Sequence, residues 1–272
     1  MANKTEPIRV CVRVRPDSKA ASNFIHTREN PPTITLGRNS NYKFDAVLGP
    51  SSSNLDLFQT CGLSIVQGLF DGRNGCVFAH GLTGSGKTHS MLGQAGGQSH
   101  LDGLIPQCAR KIFQHISEQE TSAKALGAVV EHRVTASYIE VFNGKAFDLL
   151  THGGNKRAPL KIRGGHGATD AYADGAVTQL VKTTHGLMVL IRLGSQRRQT
   201  ASTGMNVHSS RSHAILSLSM ERRWKKNSTS KISTSQTVRL LLIDLAGSEN
   251  CNEAHNGERD VAGSAVNLGL MS

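Results

Sequence analysis

The sequence predicts an α/β fold with a central mixed β-sheet flanked by helices on both faces. Three observations predict it. Segments of alternating apolar residues are interleaved along the chain with segments of helical spacing. The apolar run Gly75-Cys76-Val77-Phe78-Ala79 leads directly into a glycine-rich turn at Gly81 to Gly86, and a helical pattern follows. Apolar residues make up 38% of the 272 residues, and the 28 glycines bring the total into the range of globular proteins with a sizeable core. No linker interrupts the pattern, so residues 1–272 are assigned to one domain.

Taken in order, Ile8, Val10, Val12 and Val14 alternate with Arg9, Cys11, Arg13 and Arg15, a period-2 strand that Pro16 ends. Short strands are expected near Thr33 to Leu36 and Tyr42 to Phe44. Leu57, Phe58, Cys61, Ile65 and Leu69 fall at helical spacing, with Asn54 or Asp56 as the start signal and Gly72 as the break. Residues 75–79 read as a buried strand. Beyond a glycine-rich stretch from Gly93 to Gly103, the residues Ile105, Ala109, Ile112, Phe113 and Ile116 make a helical stripe, with Pro106 in its first turn. Val129 to Phe142 reads as a long strand, and 151–175 as a loop with room for a short hairpin. A helix is expected from about Thr183 to Gln199. Ala214 to Met220 alternates as a strand, 223–236 reads as a solvated loop, and Val238 to Leu245 is an apolar strand running into Asp244-Leu245-Ala246-Gly247.

Composition excludes several classes. No run of 18 apolar residues exists, so no membrane span is expected, and no membrane is assigned as a partner. The start, Met-Ala-Asn-Lys-Thr-Glu-Pro, has no apolar signal core. The five cysteines are widely and irregularly spaced and include no C-x-x-C pair, which fits a reduced, intracellular chain rather than a disulfide framework or zinc ribbon. A net charge of +11 points to a polyanionic partner. Aromatic residues are only 4%, which leaves little material for stacking nucleic-acid bases. Charge alone does not choose between nucleic acid, an anionic membrane and an acidic filament.

The strongest chemical signal is Gly81-Leu82-Thr83-Gly84-Ser85-Gly86-Lys87-Thr88, a full match to G-x-x-x-x-G-K-[ST] between a predicted strand and a predicted helix. The glycines let backbone N–H groups converge on a phosphate, Lys87 adds a point charge near the β- and γ-phosphates, and the Thr88 hydroxyl is placed for Mg²⁺. A phosphate cradle also needs groups that sense the γ-phosphate, hold the metal and position water. Two later segments carry suitable residue types: Asn206-Val207-His208-Ser209-Ser210-Arg211-Ser212-His213 before a strand, and Asp244-Leu245-Ala246-Gly247-Ser248-Glu249 at the end of one. An Asp at a strand end can hold a magnesium-bound water. Gly247 can offer its N–H to a phosphate oxygen, and Arg211 and Glu249 could lock two loops together. Each segment taken singly also reads as a polar loop.

Together these residues resemble the kinesin motor domain, from about Ile8 to the end of the chain. The phosphate loop, the N-x-x-S-S-R-S-H string and the D-L-A-G-S-E string occur in the family's order. Val12-Arg13-Val14-Arg15-Pro16 resembles its R-x-R-P segment, and Tyr138-Ile139-Glu140-Val141-Phe142-Asn143 with Asp148-Leu149-Leu150 resembles its Y-x-E-I-Y-N…D-L-L segment. The resemblance implies a microtubule-stimulated ATPase with ATP/ADP and Mg²⁺ as its ligands. Gly81, Leu82, Thr83, Gly84, Ser85, Gly86, Lys87 and Thr88 would bind the phosphates. Arg13, Arg15 and Pro16, with His89, would line the adenine side; on its own His89 reads as a helix-surface histidine. Thr88 and Ser210 would ligand Mg²⁺, with Asp244 acting through water. Ser209 would position the lytic water, Gly247 would sense the γ-phosphate, and Arg211 with Glu249 would close the site and relay the proton. Microtubules are the implied partner and the microtubule cytoskeleton of the cytoplasm the implied location, with Lys156, Arg157, Lys161 and Arg163 in the region that faces tubulin.

The sequence also departs from the family. His80 and Leu82 stand where Tyr and Gln are usual, and Val261 and Ala262 replace a Lys-Glu pair ahead of Asn267. The chain is expected to be a motor domain lacking its last elements, including a central strand and most of the filament-binding helix. Two alternatives stand beside the motor ATPase. One is a nucleotide-dependent microtubule-binding module with impaired hydrolysis. The other is an unrelated phosphate-loop kinase or nucleic-acid ATPase, against which the Ser209-Ser210-Arg211 string and the low aromatic content argue.

Overall fold

The computed structural model describes residues 8–16, 24–38, 40–94, 102–151, 158–164, 171–200, 211–225 and 234–248. Three long strands form its backbone: β7 (Val129–Phe142), β12 (His213–Lys225) and β13 (Thr234–Asp244). β12 lies antiparallel between the other two, and β6 (Gly75–Ala79) pairs parallel with β13. β11 (Gln179–Val181) adds to the far side of β7, which also pairs with β8 (Lys145–Asp148). The sheet is therefore mixed, with the order β11-β7-β12-β13-β6. The period of two explains the strands: Val134, Ala136 and Tyr138, Leu216, Leu218 and Met220, and Val238, Leu240 and Leu242 all turn to one buried face.

Helices cover that face. α1 (Asn54–Leu57), a wider turn at Phe58–Gly62 and α2 (Leu63–Phe70) run continuously, and Ser53 and Asp56 form a reciprocal cap at the start. α3 (Lys87–Leu92) follows the glycine-rich turn. α4 (Leu104–Ala125) and α5 (Thr184–Thr200) lie side by side across β7. Leu104, Cys108 and Ile112 of α4, Leu187 and Ile191 of α5, and Val66 and Leu69 of α2 enter one apolar core with the sheet. The helices among the described residues all join that layer. Burial pushes the Cys108 thiol up to about 12, so it acts as a small apolar side chain there.

Outside the main sheet, β1 (Cys11–Arg13) pairs parallel with β5 (Ala46–Leu48). β2 (Ile25–Arg28), β3 (Thr33–Leu36) and β4 (Ser40–Lys43) form a small antiparallel lobe. β9 (Lys161–Arg163) and β10 (Tyr172–Asp174) form the hairpin anticipated within 151–175.

Several expectations are corrected. β1 is shorter than the alternation from Ile8 predicts, because only β5 pairs with it among the described residues, and Ile8 and Val10 are exposed. The expected loop at 223–236 is partly strand. Trp224 pairs with Thr234 and Val130, and Lys225 with Val129, so ladders on both sides of β12 carry its polar end. The Arg222 guanidinium also lies 4.5 Å over the Trp224 ring. β8 was legible but missed. Asn143 and Gly144 both have positive φ, 47° and 68°, and join β7 to β8 through a two-residue turn, for which Asn-Gly is the usual signal.

Candidate functional site

The parallel pairing of β6 with β13 sets the site, because it brings the carboxyl ends of both strands to the same edge. Ala79 pairs with Asp244. The glycine-rich turn leaves β6 there, with φ of 150°, 77° and 99° at Gly81, Gly84 and Gly86. All three values lie in the positive-φ range that favours glycine. Gly86 caps the start of α3, and a Cβ there would meet nothing within 4 Å, so its requirement is backbone conformation and not space.

Side chains tie the turn to its surroundings. Lys87 Nζ donates to the carbonyls of Gly81 at 2.8 Å and Leu82 at 2.9 Å. Arg15 donates to the Gly84 carbonyl. Thr88 Oγ1 donates to Asp244 Oδ2 at 2.6 Å. The chain beyond Asp244 stays close, as Leu245 N–H donates to Ala79 O at 3.3 Å and Ser248 N–H to Gly81 O at 3.1 Å.

The start of β12 reaches the same place. His213 is buried, and its Nδ1 accepts the Ala246 N–H at 3.1 Å. That bond requires the neutral ring with its proton on Nε2. Burial lowers the His213 pKa and nearby Arg198 pushes the same way, against a weaker opposing pull from Asp244. Arg198, buried near the end of α5, donates from Nε to Ser212 Oγ at 3.0 Å and from its NH2 group to Ser212 O at 2.7 Å. Its guanidinium also lies 3.6 Å from Glu140 Oε1 and 3.7 Å from Asp244 Oδ2. The other Asp244 oxygen, Oδ1, is buried and accepts no hydrogen bond among the described residues.

The structure brings together the glycine-rich turn, Lys87, Thr88, Asp244 and half-buried Gly247. Arg13 is held by its surroundings. Its guanidinium donates to Asn54 Oδ1 at 2.6 Å, Ser90 Oγ at 3.1 Å and Ser52 O at 2.9 Å, so it braces β1 against α1 and α3. Pro16, Thr83, Ser85, His89 and Arg211 are exposed. Ser209, Ser210 and Glu249 lie outside the described residues, as do Lys156, Arg157, Val261, Ala262 and Asn267. Lys161 and Arg163 stand on β9, where Arg163 pairs with Asp174 at 2.5 Å. Sequence reasoning gave no site role to Ser52, Asn54, Ser90, Glu140, Arg198 or Ser212. Only Glu140 and Ser212 carried a signal, as members of strings already singled out.

A mixed sheet whose parallel pair carries a glycine-rich G-K-T turn at its carboxyl edge defines an α/β protein of the phosphate-loop class. Within that class the chain belongs to the kinesin motor-domain family, whose model, described as "Kinesin motor domain", matches residues 4–272. The chain is 31% identical over 289 residues to kinesin-like protein KIF14 of Mus musculus, covering 97% of this chain and 16% of that protein. It is 34% identical over 266 residues to kinesin-like protein KIF15 of Mus musculus, covering 93% and 18%. It thus spans under a fifth of the length of these two curated relatives. Among solved structures it is similar to a fast kinesin, whose description refers to ATPase mechanism and interactions with microtubules. That likeness has a TM-score of 0.76 at 26% identity, over 93% of this chain and 69% of that one.

Proposed function

We propose that residues 1–272 form a motor head that binds and hydrolyses Mg·ATP and couples the hydrolysis to action on microtubules. The observation that carries this reading is the 2.6 Å bond from Thr88 Oγ1 to Asp244 Oδ2. It joins the phosphate-loop motif to the D-L-A-G-S-E motif at one edge of the sheet, where a triphosphate and its metal would need both.

The donor set fits Mg²⁺, a hard cation that takes oxygen ligands. Thr88 supplies a hydroxyl, and Asp244 offers a buried oxygen that accepts no hydrogen bond among the described residues. Thr88 and Ser210 would hold the ion directly and Asp244 through water. Bound there, the metal would neutralise phosphate charge. Residues 81–88 would cradle the phosphates. The Lys87 ammonium, now shared between two loop carbonyls, would turn to the β- and γ-phosphates. Ser209 would orient the attacking water, Gly247 N–H would meet the γ-phosphate, and Arg211 with Glu249 would close the site. Arg13 would shape the adenine side through Asn54 and Ser90, with Arg15, Pro16 and His89 at its rim.

The partner reading rests on the family and on charge. A head of net charge +11 would be steered toward an acidic filament, and the β9–β10 hairpin presents Lys161 and Arg163. The location proposed is the microtubule cytoskeleton of the cytoplasm. The test is phosphate release from Mg·ATP with and without microtubules. Stimulated release supports the motor reading. Nucleotide-dependent co-sedimentation without stimulated release would replace it with a binding module, and stimulation by DNA or RNA alone would reject it.

A further inference from the structure

We propose that Cys11 and Cys61 form a thiol pair that a hydroperoxide oxidises, with Cys11 as the attacking sulfur, Cys61 as the resolving one, and a disulfide between β1 and the wide turn at Phe58–Gly62 as the product. The inference stands apart from the nucleotide reading, and its test uses no nucleotide.

The fold brings the two sulfurs together. β1 meets the helix that follows Ser53 at two points. Arg13 donates to Asn54 Oδ1 at 2.6 Å. Two residues back, on the same side of the strand, the Cys11 sulfur accepts a hydrogen bond from the Cys61 thiol. Cys61 has little freedom to withdraw. It precedes Gly62, where a Cβ would lie 2.6 Å from Phe58 Cδ2 and 2.8 Å from Leu104 Cδ1, so the core fixes the wide turn from behind. Wide turns of this kind inside α-helices occur frequently at functional sites. Cys11 and Cys61 are both half-buried and not sealed, so a solute as small as a hydroperoxide can approach.

Electrostatics separate the two roles. The hydrogen bond from Cys61 lowers the Cys11 pKa, and Arg9 and Arg13 add to that against the opposing effect of burial. The same bond raises the Cys61 pKa, and burial adds to the rise. Burial raises Cys76 and Cys108 as well. The thiolate is the nucleophile, so Cys11 is the sulfur among these four that attacks an oxidant.

The chemistry then runs in two steps. The Cys11 thiolate attacks one peroxide oxygen, the O–O bond breaks, and the departing oxygen takes the proton that the thiol released. Cys11 is now a sulfenic acid. The Cys61 sulfur attacks the Cys11 sulfur, the S–O bond breaks, and the hydroxyl leaves with the Cys61 proton as water. The pair gives up two electrons and two protons, and the hydroperoxide takes both.

The experiment treats the folded chain with dilute hydrogen peroxide, blocks the remaining thiols, and identifies the modified cysteines by peptide mass spectrometry. The parent chain yields a linked Cys11–Cys61 peptide pair that dithiothreitol separates, and Cys11 is consumed about tenfold or more faster than Cys76 or Cys108. Cys61→Ser removes the resolving thiol, so Cys11 persists as a sulfenic acid and takes up dimedone. In Cys11→Ser, dimedone labelling at Cys61 is about tenfold lower than that. A parent chain in which Cys11 is consumed no faster than Cys76, or in which no Cys11–Cys61 link forms, overturns the proposal without recourse to a variant. Equal labelling of Cys61 in Cys11→Ser overturns the assignment of roles.

Discussion

Thr88 and Asp244 are 156 positions apart in the chain, yet the hydroxyl of one donates to the carboxylate of the other at 2.6 Å. The register of β6 on β13 makes that contact. Ala79 lies opposite Asp244, so the turn that leaves β6 must pass over the end of β13. If the pair serves a metal site, Thr88→Ala and Asp244→Asn should each lower Mg·ATP turnover about 10- to 100-fold and raise the Mg²⁺ concentration needed for half-maximal rate. Steady-state phosphate release across a Mg²⁺ titration measures both, and unchanged Mg²⁺ dependence in the two variants would remove the metal role.

Lys87 separates function from folding. Its ammonium meets two carbonyls of its own loop, one of them exposed, and its loss should change stability by only about 1–3 kcal/mol. Lys87→Ala should nevertheless abolish turnover, because the charge at the transferring phosphate goes with it. Urea unfolding and phosphate release on the same preparation test the split. Retained turnover would refute the phosphate role.

Gly103 and Gly86 should fail for different reasons when changed to Ala. At Gly103 the backbone is extended, but a Cβ would lie 2.5 Å from Gly93 N and Met91 C and 2.6 Å from Leu92 C. Backbone atoms cannot swing aside, so Gly103→Ala should cost more than about 2 kcal/mol. Gly86 has open space and a φ of 99°, so Gly86→Ala should cost about 1–2 kcal/mol from backbone strain alone. Urea denaturation ranks the two, and the reverse order would contradict this account.

Asp148 explains why the D-L-L string is built around an acid. Its buried carboxylate accepts the N–H of Leu150 and of Val177, each at 2.6 Å, and so pins the segment leading to β11 against the end of β8. Asp148→Ala should destabilise the chain by about 2–3 kcal/mol, since two backbone donors lose their acceptor. A change below about 0.5 kcal/mol in urea unfolding would show that water or another group replaces it.

His213 should make stability pH-dependent. Burial and Arg198 hold its folded pKa below the ordinary 6.5. Below pH 6.5 the unfolded chain therefore takes up a proton that the folded chain refuses. The contribution is fully present above pH 6.5 and declines as pH falls from there toward the lowered folded value. His213→Asn, which keeps an acceptor for the Ala246 N–H, should flatten that decline. His132, whose folded pKa burial also lowers, contributes in the same direction to both proteins, so it cancels in the difference. Equal slopes of Tm against pH between 5 and 8 would reject the assignment.

Much of the site was legible because its chemistry is local. A G-x-x-x-x-G-K-T turn needs its glycines and its lysine at fixed offsets, and the alternation in β7 and β12 names the buried face without reference to any partner. The reach of β12 and β13 past Arg222 and Gln236 was not legible, because their polar ends are strand only where neighbouring backbones pair with them. Arg13 shows the same limit: a guanidinium on a short strand carries no sign of which residues it will brace.

Local spacing in the sequence determined the fold class, the phosphate-loop segment and the order of the strands and helices, since each depends on residues close together in the chain, while the family was legible only as a resemblance in three separated strings taken together. Only the tertiary structure decided that Thr88 meets Asp244, that His213 meets Ala246 and that Arg198 lies buried between Glu140, Ser212 and Asp244. Those contacts join residues far apart in sequence, and strand register and helix packing set their distances. No pattern of spacing along one segment encodes them.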